Sequence, residues 1–282
     1  EMALNSRLLS FVLSLGIIST SCCAQSVIGR GNFPRGFVFG ASSSSYQYEG
    51  AVNEDGRGQS IWDTFARETG KIKDGSNAAM ANDHYHRYPE DIQLLKDMGM
   101  DAFRLSIAWS RIYPDGTGKV NQAGVDHYNN VINALLAHGI QPYVTLYHWE
   151  LPQTLQDRYG GWLSSQIIGD FENFAETCFR EFGDRVKQWI TLNEPYIFAI
   201  YGYDTGILAP GRCSFSDCEA GNSSTEPYTV AHNMLLSHAA VVHLYNTKYK
   251  PTQGGSIGVT LIASWYESAS RNKAIFKPLE EN

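Results

Sequence analysis

Short β-rich runs alternate with amphipathic helical stretches along this chain, and that alternation limits its folding options more than any other feature. A first strand is expected at 37–41. Behind Pro89-Glu90-Asp91, Ile92, Leu95 and Met98 recur at helical spacing, and a proline with two acids suits the first turn of a helix, where the dipole is positive. Gly99 is placed to end that helix in the left-handed conformation. Phe103 to Ile107 then alternates apolar and polar with the period of a strand. The same pattern returns with Val125, Tyr128, Val131, Ile132 and Leu135, a stop at His138-Gly139, and a strand at 142–146. It returns again with Ile167, Ile168, Phe171, Phe174, Ala175, Cys178 and Phe182, a stop at Gly183, and a strand at 189–193. A fourth helix begins near Pro227, runs through Val230, Met234, His238, Val241 and Tyr245, and precedes a strand at 256–262.

Strands that alternate with helices pair in parallel, so the fold class is α/β. Five strands are used by residue 262, and a closed (β/α)8 barrel needs roughly three more units on this rhythm. The expected architecture is therefore such a barrel truncated to about its first five strand–helix units. A doubly wound open sheet of five strands is the alternative, but the Gly-rich phosphate turn usual after its first strand is missing.

The first residues have another purpose. Arg7 supplies a positive charge, Leu8 to Ile18 is apolar, and small residues follow to Ala24. That order predicts a cleaved secretory signal over residues 1–24, too short to span a bilayer. The expected location is secreted, extracellular or vacuolar, with no membrane segment in the mature chain. Cys22 and Cys23 leave with the signal. Cys213 and Cys218 flank a short polar stretch, and in a secreted chain such a pair reads as a disulfide, two free surface thiols being the alternative. Cys178, on an apolar helix face, reads as inert core. Asn222-Ser223-Ser224 is a glycosylation sequon in the same loop. The formal charge is −7 and no Lys/Arg run interrupts it, which argues against a nucleic-acid partner. His84 and His86 lie two apart, on different sides of a helix, and Asp83 does not complete a ligand set, so no metal site is expected. A serine hydrolase would need a G-x-S-x-G turn that is not here.

Barrel enzymes work at the carboxyl ends of their strands. The polar residues there are Gln47, Trp109-Ser110-Arg111, His148-Trp149-Glu150 and Asn193-Glu194-Pro195. Pro195 lacks an N–H and biases Glu194 away from helix, so the strand must end there and present a carboxyl at the mouth beside an amide. Glycoside hydrolysis needs one carboxylic acid to protonate the leaving oxygen and, in retaining enzymes, a second carboxylate about 5–5.5 Å away to attack the anomeric carbon.

The blocks Phe33 to Ala41 with Tyr46 to Ala51, Phe103 to Ile112, Tyr147 to Pro152, and Thr191 to Pro195 resemble, in order, four signatures of glycoside hydrolase family 1. The resemblance runs from about residue 33 to 266, and the Cys213–Cys218 loop is similar to that of plant members. It implies a retaining β-glucosidase without metal or cofactor, acting on a β-glucoside. Glu194 would be the acid/base and Asn193 would hold the sugar 2-hydroxyl. Gln47 and His148 would bind hydroxyls of the non-reducing glucose or galactose. Arg104 would point inward beside the nucleophile and keep it ionised. Glutamate at 194 sets the chain apart from plant thioglucosidases that dispense with an acid. The family's nucleophile sits in a Thr-Glu-Asn-Gly block, which does not occur in these 282 residues. Glu49 and Glu150 match structural positions of the family pattern. Residues 267–282 read as a divergent tail, unplaced from about Arg271. The chain by itself is thus expected to lack turnover, and a non-catalytic truncated isoform or sugar-binding remnant is the rival reading.

Overall fold

The computed structural model describes residues 28–267. The expected secretory signal over residues 1–24, with Cys22 and Cys23, and the tail from residue 268 lie outside the described residues. The described residues fall into two units, 28–38 and 39–267. In the first, a single 3-10 turn at Arg30–Asn32 is followed by the Phe33 and Phe37 rings, whose centroids lie 4.7 Å apart.

The second unit holds a five-stranded sheet: β1 Gly40–Ser42, β2 Ala102–Ser106, β3 Gln141–Tyr147, β4 Gln188–Asn193 and β5 Ser256–Thr260. They lie side by side in chain order and every pair is parallel. The connections carry the longer helices α1 His84–Asp97, α2 Gln122–Ala137, α3 Gln166–Phe182, α4 Pro195–Tyr203 and α5 Glu226–Leu244. Phe103, Leu105, Val144, Leu146 and Trp189 of the strands are buried in one cluster with Ile92, Val131, Leu135, Phe174, Cys178 and Phe182 of the helices. Large rings dominate that layer. The Trp109 indole stacks on Phe174 with centroids 5.0 Å apart, and its N–H donates to the Gly116 carbonyl at 2.9 Å. Burial drives the Cys178 thiol far above its ordinary value, which keeps it inert.

Strands β2 to β4 fall within a residue or two of their expected positions, but three local readings need correction. Strand β1 begins at Gly40 rather than 37. Phe39 is held instead by Asp101, whose carboxylate accepts its N–H at 2.9 Å, and the ladder starts only where Gly40 meets Ala102. At the other edge, β5 stops at Thr260, and Leu261 and Ile262 are exposed. Helix α1 starts at His84, not at Pro89, which lies inside it. The Glu49 carbonyl accepts the Tyr85 N–H at 3.0 Å, and the His84 imidazole bonds Asp91 at 2.7 Å. These contacts fix a turn before the proline, overriding the local preference for an N-terminal proline.

Gly99 ends its helix left-handed at φ 72°, as its position predicted, and Gly139, expected only as a helix stop, does so at 77°. Gly183 does not use that freedom, since its φ is −73°. A Cβ there would meet the end of the Gln253 side chain, whose amide donates to the Phe179 carbonyl at 2.8 Å. Helix α4 was not anticipated, because its residues are apolar on nearly every side and carry no period. The legible signal was Pro195, a residue suited to the first helical position.

Cys213 and Cys218 are bridged, with Cα atoms 5.5 Å apart, and Asn222 in the same loop is exposed. Alkylation without reductant is expected to label neither cysteine and, after reduction, both. Mass spectrometry of the peptide around residue 213 distinguishes the two, and labelling of both without reductant would exclude the bridge.

Candidate active site

Of the polar residues selected at the strand ends, Gln47 and His148 line one cavity and Asn193 and Glu194 stand with Arg104. Trp109 and Arg111 are instead buried against Phe174 and Glu49. Arg104 is the third residue of β2, and its neighbour across the sheet is β3. Its Nε donates to Thr145 Oγ1 at 2.9 Å, and its Nη2 donates to Asn193 Oδ1 at 2.6 Å. Asn193, the last residue of β4, therefore has its carbonyl committed to the guanidinium. Its amide nitrogen is left toward Glu194, whose Oε2 lies 3.5 Å away. Burial lowers the Arg104 pKa, and the charge of Glu194 opposes that effect. Arg104 was expected beside the nucleophile, which is not among the described residues; here its charge is felt by Glu194 instead. The geometry adds that Arg104 sets the orientation of Asn193.

Glu194 stands where strand turns into helix. Its backbone is left-handed, φ 44° and ψ 60°, directly before Pro195 at the first position of α4. A non-glycine residue in that region costs on the order of 1–3 kcal/mol and persists only where its surroundings over-determine it. Here they do: the Glu194 N–H donates to the Thr260 carbonyl of β5 at 2.9 Å, and its own carbonyl accepts from Phe198 at 3.2 Å. The side chain, half-buried, is thereby aimed from a rigid corner.

His148 follows β3 directly. Burial first, and the Arg104 charge second, push its pKa down to about 3, so at neutral pH the ring is an uncharged donor and acceptor. Trp149, next in the chain, is also left-handed at φ 82°, and its indole N–H donates to the Asn193 carbonyl at 2.8 Å. Sequence reasoning named Trp149 at the strand exit without a role and gave Thr145 no part in the site. Position after His148 at a strand exit was the available hint for Trp149. Gln47 is exposed on the helical turn Ser45–Tyr48, five residues beyond β1, with its carbonyl oxygen bonded to the Ser44 hydroxyl at 2.6 Å. Its amide nitrogen is thus the group left for a ligand. Gln47, His148 and Trp149 line one cavity of about 390 Å³ together with Tyr46, Trp62 and Leu208. Arg104, Asn193 and Glu194 form the adjoining polar group, tied to it by Trp149 and by the Arg104–His148 charge effect.

Two further glutamates near the strand exits are tied elsewhere. Glu49 pairs with Arg111 at 2.7 Å and accepts the Tyr128 hydroxyl at 2.7 Å. Burial would raise its pKa, but Arg111 and these hydrogen bonds outweigh that and hold it low. Glu150 accepts the Ser45 hydroxyl, and burial raises its pKa from 4.5 to about 8. A group whose folded pKa is raised contributes stability that is fully present below the unfolded value and is lost as pH rises through the folded one. Between pH 4.5 and 8 the native protein should therefore lose stability that Glu150→Gln retains. The difference between the two proteins should grow by roughly 2–5 kcal/mol across that window, read by urea unfolding at each pH. Parallel curves for the two proteins would show that Glu150 does not titrate there. His84 and His86 bond separate carboxylates, Asp91 for the first, Asp83 and Glu54 for the second. Among the described residues, no group of His, Cys, Asp and Glu is arranged to hold a metal ion, and no helix is long and apolar enough to cross a membrane.

Comparison with known proteins identifies the family and the fold. The sequence model of glycosyl hydrolase family 1 matches residues 29–280, a wider span than the 33–266 read from the motif blocks. Beta-glucosidase 6 of Oryza sativa subsp. japonica is 63% identical over 268 residues, covering 92% of this chain and 51% of that protein. Beta-glucosidase 40 of Arabidopsis thaliana is 61% identical over 254 residues, covering 89% of this chain and 49% of its own length. Among solved structures, a rice β-glucosidase superposes with a TM-score of 0.84 at 66% identity, over 86% of this chain and 52% of that one. The chain thus spans about half the length of the relatives it matches, and its five parallel strands correspond to part of their (β/α)8 barrels. By its family match and its identity to plant β-glucosidases, this chain belongs to glycosyl hydrolase family 1.

Proposed function

We propose that this chain supplies the sugar-reading and proton-donating half of a retaining β-glucosidase site. The observation that carries the proposal is the rigid placement of Glu194 beside an asparagine already oriented by Arg104. In this reading Glu194 protonates the glycosidic oxygen as the aglycone leaves and then deprotonates water. The Asn193 amide donates to the sugar 2-hydroxyl, while Gln47 and the neutral His148 bind hydroxyls farther round the ring. No residue among those described serves as nucleophile, since Glu49 and Glu150 are each engaged elsewhere. Arg104 would stabilise a carboxylate contributed from outside these residues. A solved relative supports the retaining chemistry: a rice β-glucosidase variant, glutamate replaced by glutamine, is described as a covalent complex with glucose. The residues 1–24 signal, secretion, and glycosylation of the exposed Asn222 belong to the same reading. They are supported by the apolar run at 8–18 and by the sequon.

Complementation tests it. The purified chain should hydrolyse aryl β-glucosides no faster than its own Glu194→Gln variant, and joining the C-terminal half of a family member should bring turnover. Sustained turnover by the chain alone, abolished by Glu194→Gln, would refute the assignment and require a nucleophile within it.

A further inference from the structure

Glu150 takes no part in the chemistry above, yet its surroundings are unusual for a carboxyl group. It is 1% exposed and sits two residues after His148, beside the left-handed Trp149. One of its oxygens accepts the hydroxyl of Ser45, 105 residues earlier in the chain. The other is buried without a hydrogen-bond partner among the described residues. Ser45 opens the helical turn on which Gln47 stands. Its backbone N–H donates to Ser106 Oγ at 2.7 Å, and the Ser106 hydroxyl reaches its own oxygen at 3.1 Å. The neighbouring Ser44 hydroxyl holds the Gln47 carbonyl oxygen. The Glu150–Ser45 bond therefore joins the turn that aims Gln47 to the strand exit that aims His148. Backbone bonds from Ile61 to Leu151 and from Gln153 to Gln59, each 2.8 Å, fasten the segments that follow. They act beyond the serine turn and do not set the aim of Gln47.

We propose that Glu150 is a positioning residue, which through Ser45 holds Gln47 and His148 in one fixed relation for reading hydroxyls of a single sugar ring. The inference rests on the sugar-binding reading of those two side chains. One oxygen has a hydroxyl partner and the other has none among the described residues. Burial, helped by the charge of Glu49, outweighs the Ser45 hydrogen bond, a backbone hydrogen bond and the charge of Arg57, which favour ionisation, and keeps the group protonated to about pH 8. Ionisation would place a charge in a site with one donor to receive it, and the serine turn would have to rearrange.

The test uses the full chain labelled with nitrogen-15, observing the Gln47 side-chain amide and the His148 ring by NMR. Glu150→Gln keeps the acceptor without the charge and should reproduce the native signals at pH 6.5. Glu150→Leu removes the acceptor and Ser45→Ala removes the donor. Both should displace the Gln47 and His148 signals together and weaken binding of methyl β-D-glucoside by about three- to tenfold, the loss of one well-aimed hydrogen bond. In the native protein both signals should also move as the pH passes about 8, and Glu150→Gln should abolish that transition. A purely structural role would lower stability without moving either signal. If Glu150→Leu does not fold, Ser45→Ala decides. Unmoved signals in a folded Ser45→Ala protein, or identical pH profiles for the native and Glu150→Gln proteins, would overturn the proposal. If the native chain ignores methyl β-D-glucoside while the variants still move both side chains, the sugar-binding reading falls and the coupling stands.

Discussion

Joined to the C-terminal half of a plant β-glucosidase, the Glu194→Gln variant of this chain is expected to turn over aryl β-glucosides about 10²–10⁴-fold more slowly than the native sequence when the leaving group is poor. The physical reason lies in what a general acid does. An alkoxide-like leaving group needs a proton in the transition state, whereas a nitrophenolate departs largely unaided. The defect should therefore shrink as the leaving group becomes more acidic and should be steepest for alkyl glucosides. Glutamine preserves the shape of the corner at 194 and can still hydrogen-bond Asn193, so a loss cannot be ascribed to misfolding of the β4–α4 junction. Rates measured over a series of phenols and alcohols test this directly. A loss of equal size for every leaving group would mean that Glu194 supports the sugar instead of protonating the aglycone.

The second large effect concerns stability. Arg111 is 1% exposed, and its guanidinium makes an ion pair with Glu49, donates to the Gly50 and Ala51 carbonyls at 2.9 and 3.3 Å, and lies 4.2 Å from the Tyr85 ring centroid. Glu49 stands two residues beyond Gln47, so this pair anchors the segment that carries Gln47 to the exit of β2. Arg111→Met should cost about 3–5 kcal/mol, because it leaves a carboxylate buried without its cation. That is a large share of the roughly 5–15 kcal/mol that holds a typical domain folded. The companion Glu49→Gln/Arg111→Met protein should recover part of the loss, since the uncompensated charge is then gone. The coupling between the two sites, read from urea unfolding followed by tryptophan fluorescence, should fall in the range of roughly 0.5–3 kcal/mol. Strict additivity of the two substitutions would show that hydrogen bonds to Gly50 and Ala51, not the ion pair, carry the effect.

The amino-acid sequence alone determined the parallel α/β order, strands β2 to β4 nearly to the residue, the left-handed end at Gly99, the helix stop at Gly139, and the identity of the polar residues at the strand exits. These are local matters: the period of apolar residues states which side of an element is buried, and a proline or glycine states what the backbone can do at one position. Tertiary structure decided the rest. Helix α1 begins before Pro89 because the Glu49 carbonyl, thirty-six residues away, receives the Tyr85 N–H. Helix α4, apolar on nearly all sides, has no period to read until its neighbours bury it. The pairings that make a site, Arg104 with Asn193, Trp149 with the Asn193 carbonyl and Glu150 with Ser45, join residues 89, 44 and 105 positions apart. Motif spacing names those side chains but not their partners. Which atoms meet depends on the parallel register of strands laid side by side, and that register exists only once the helices have been packed behind the sheet.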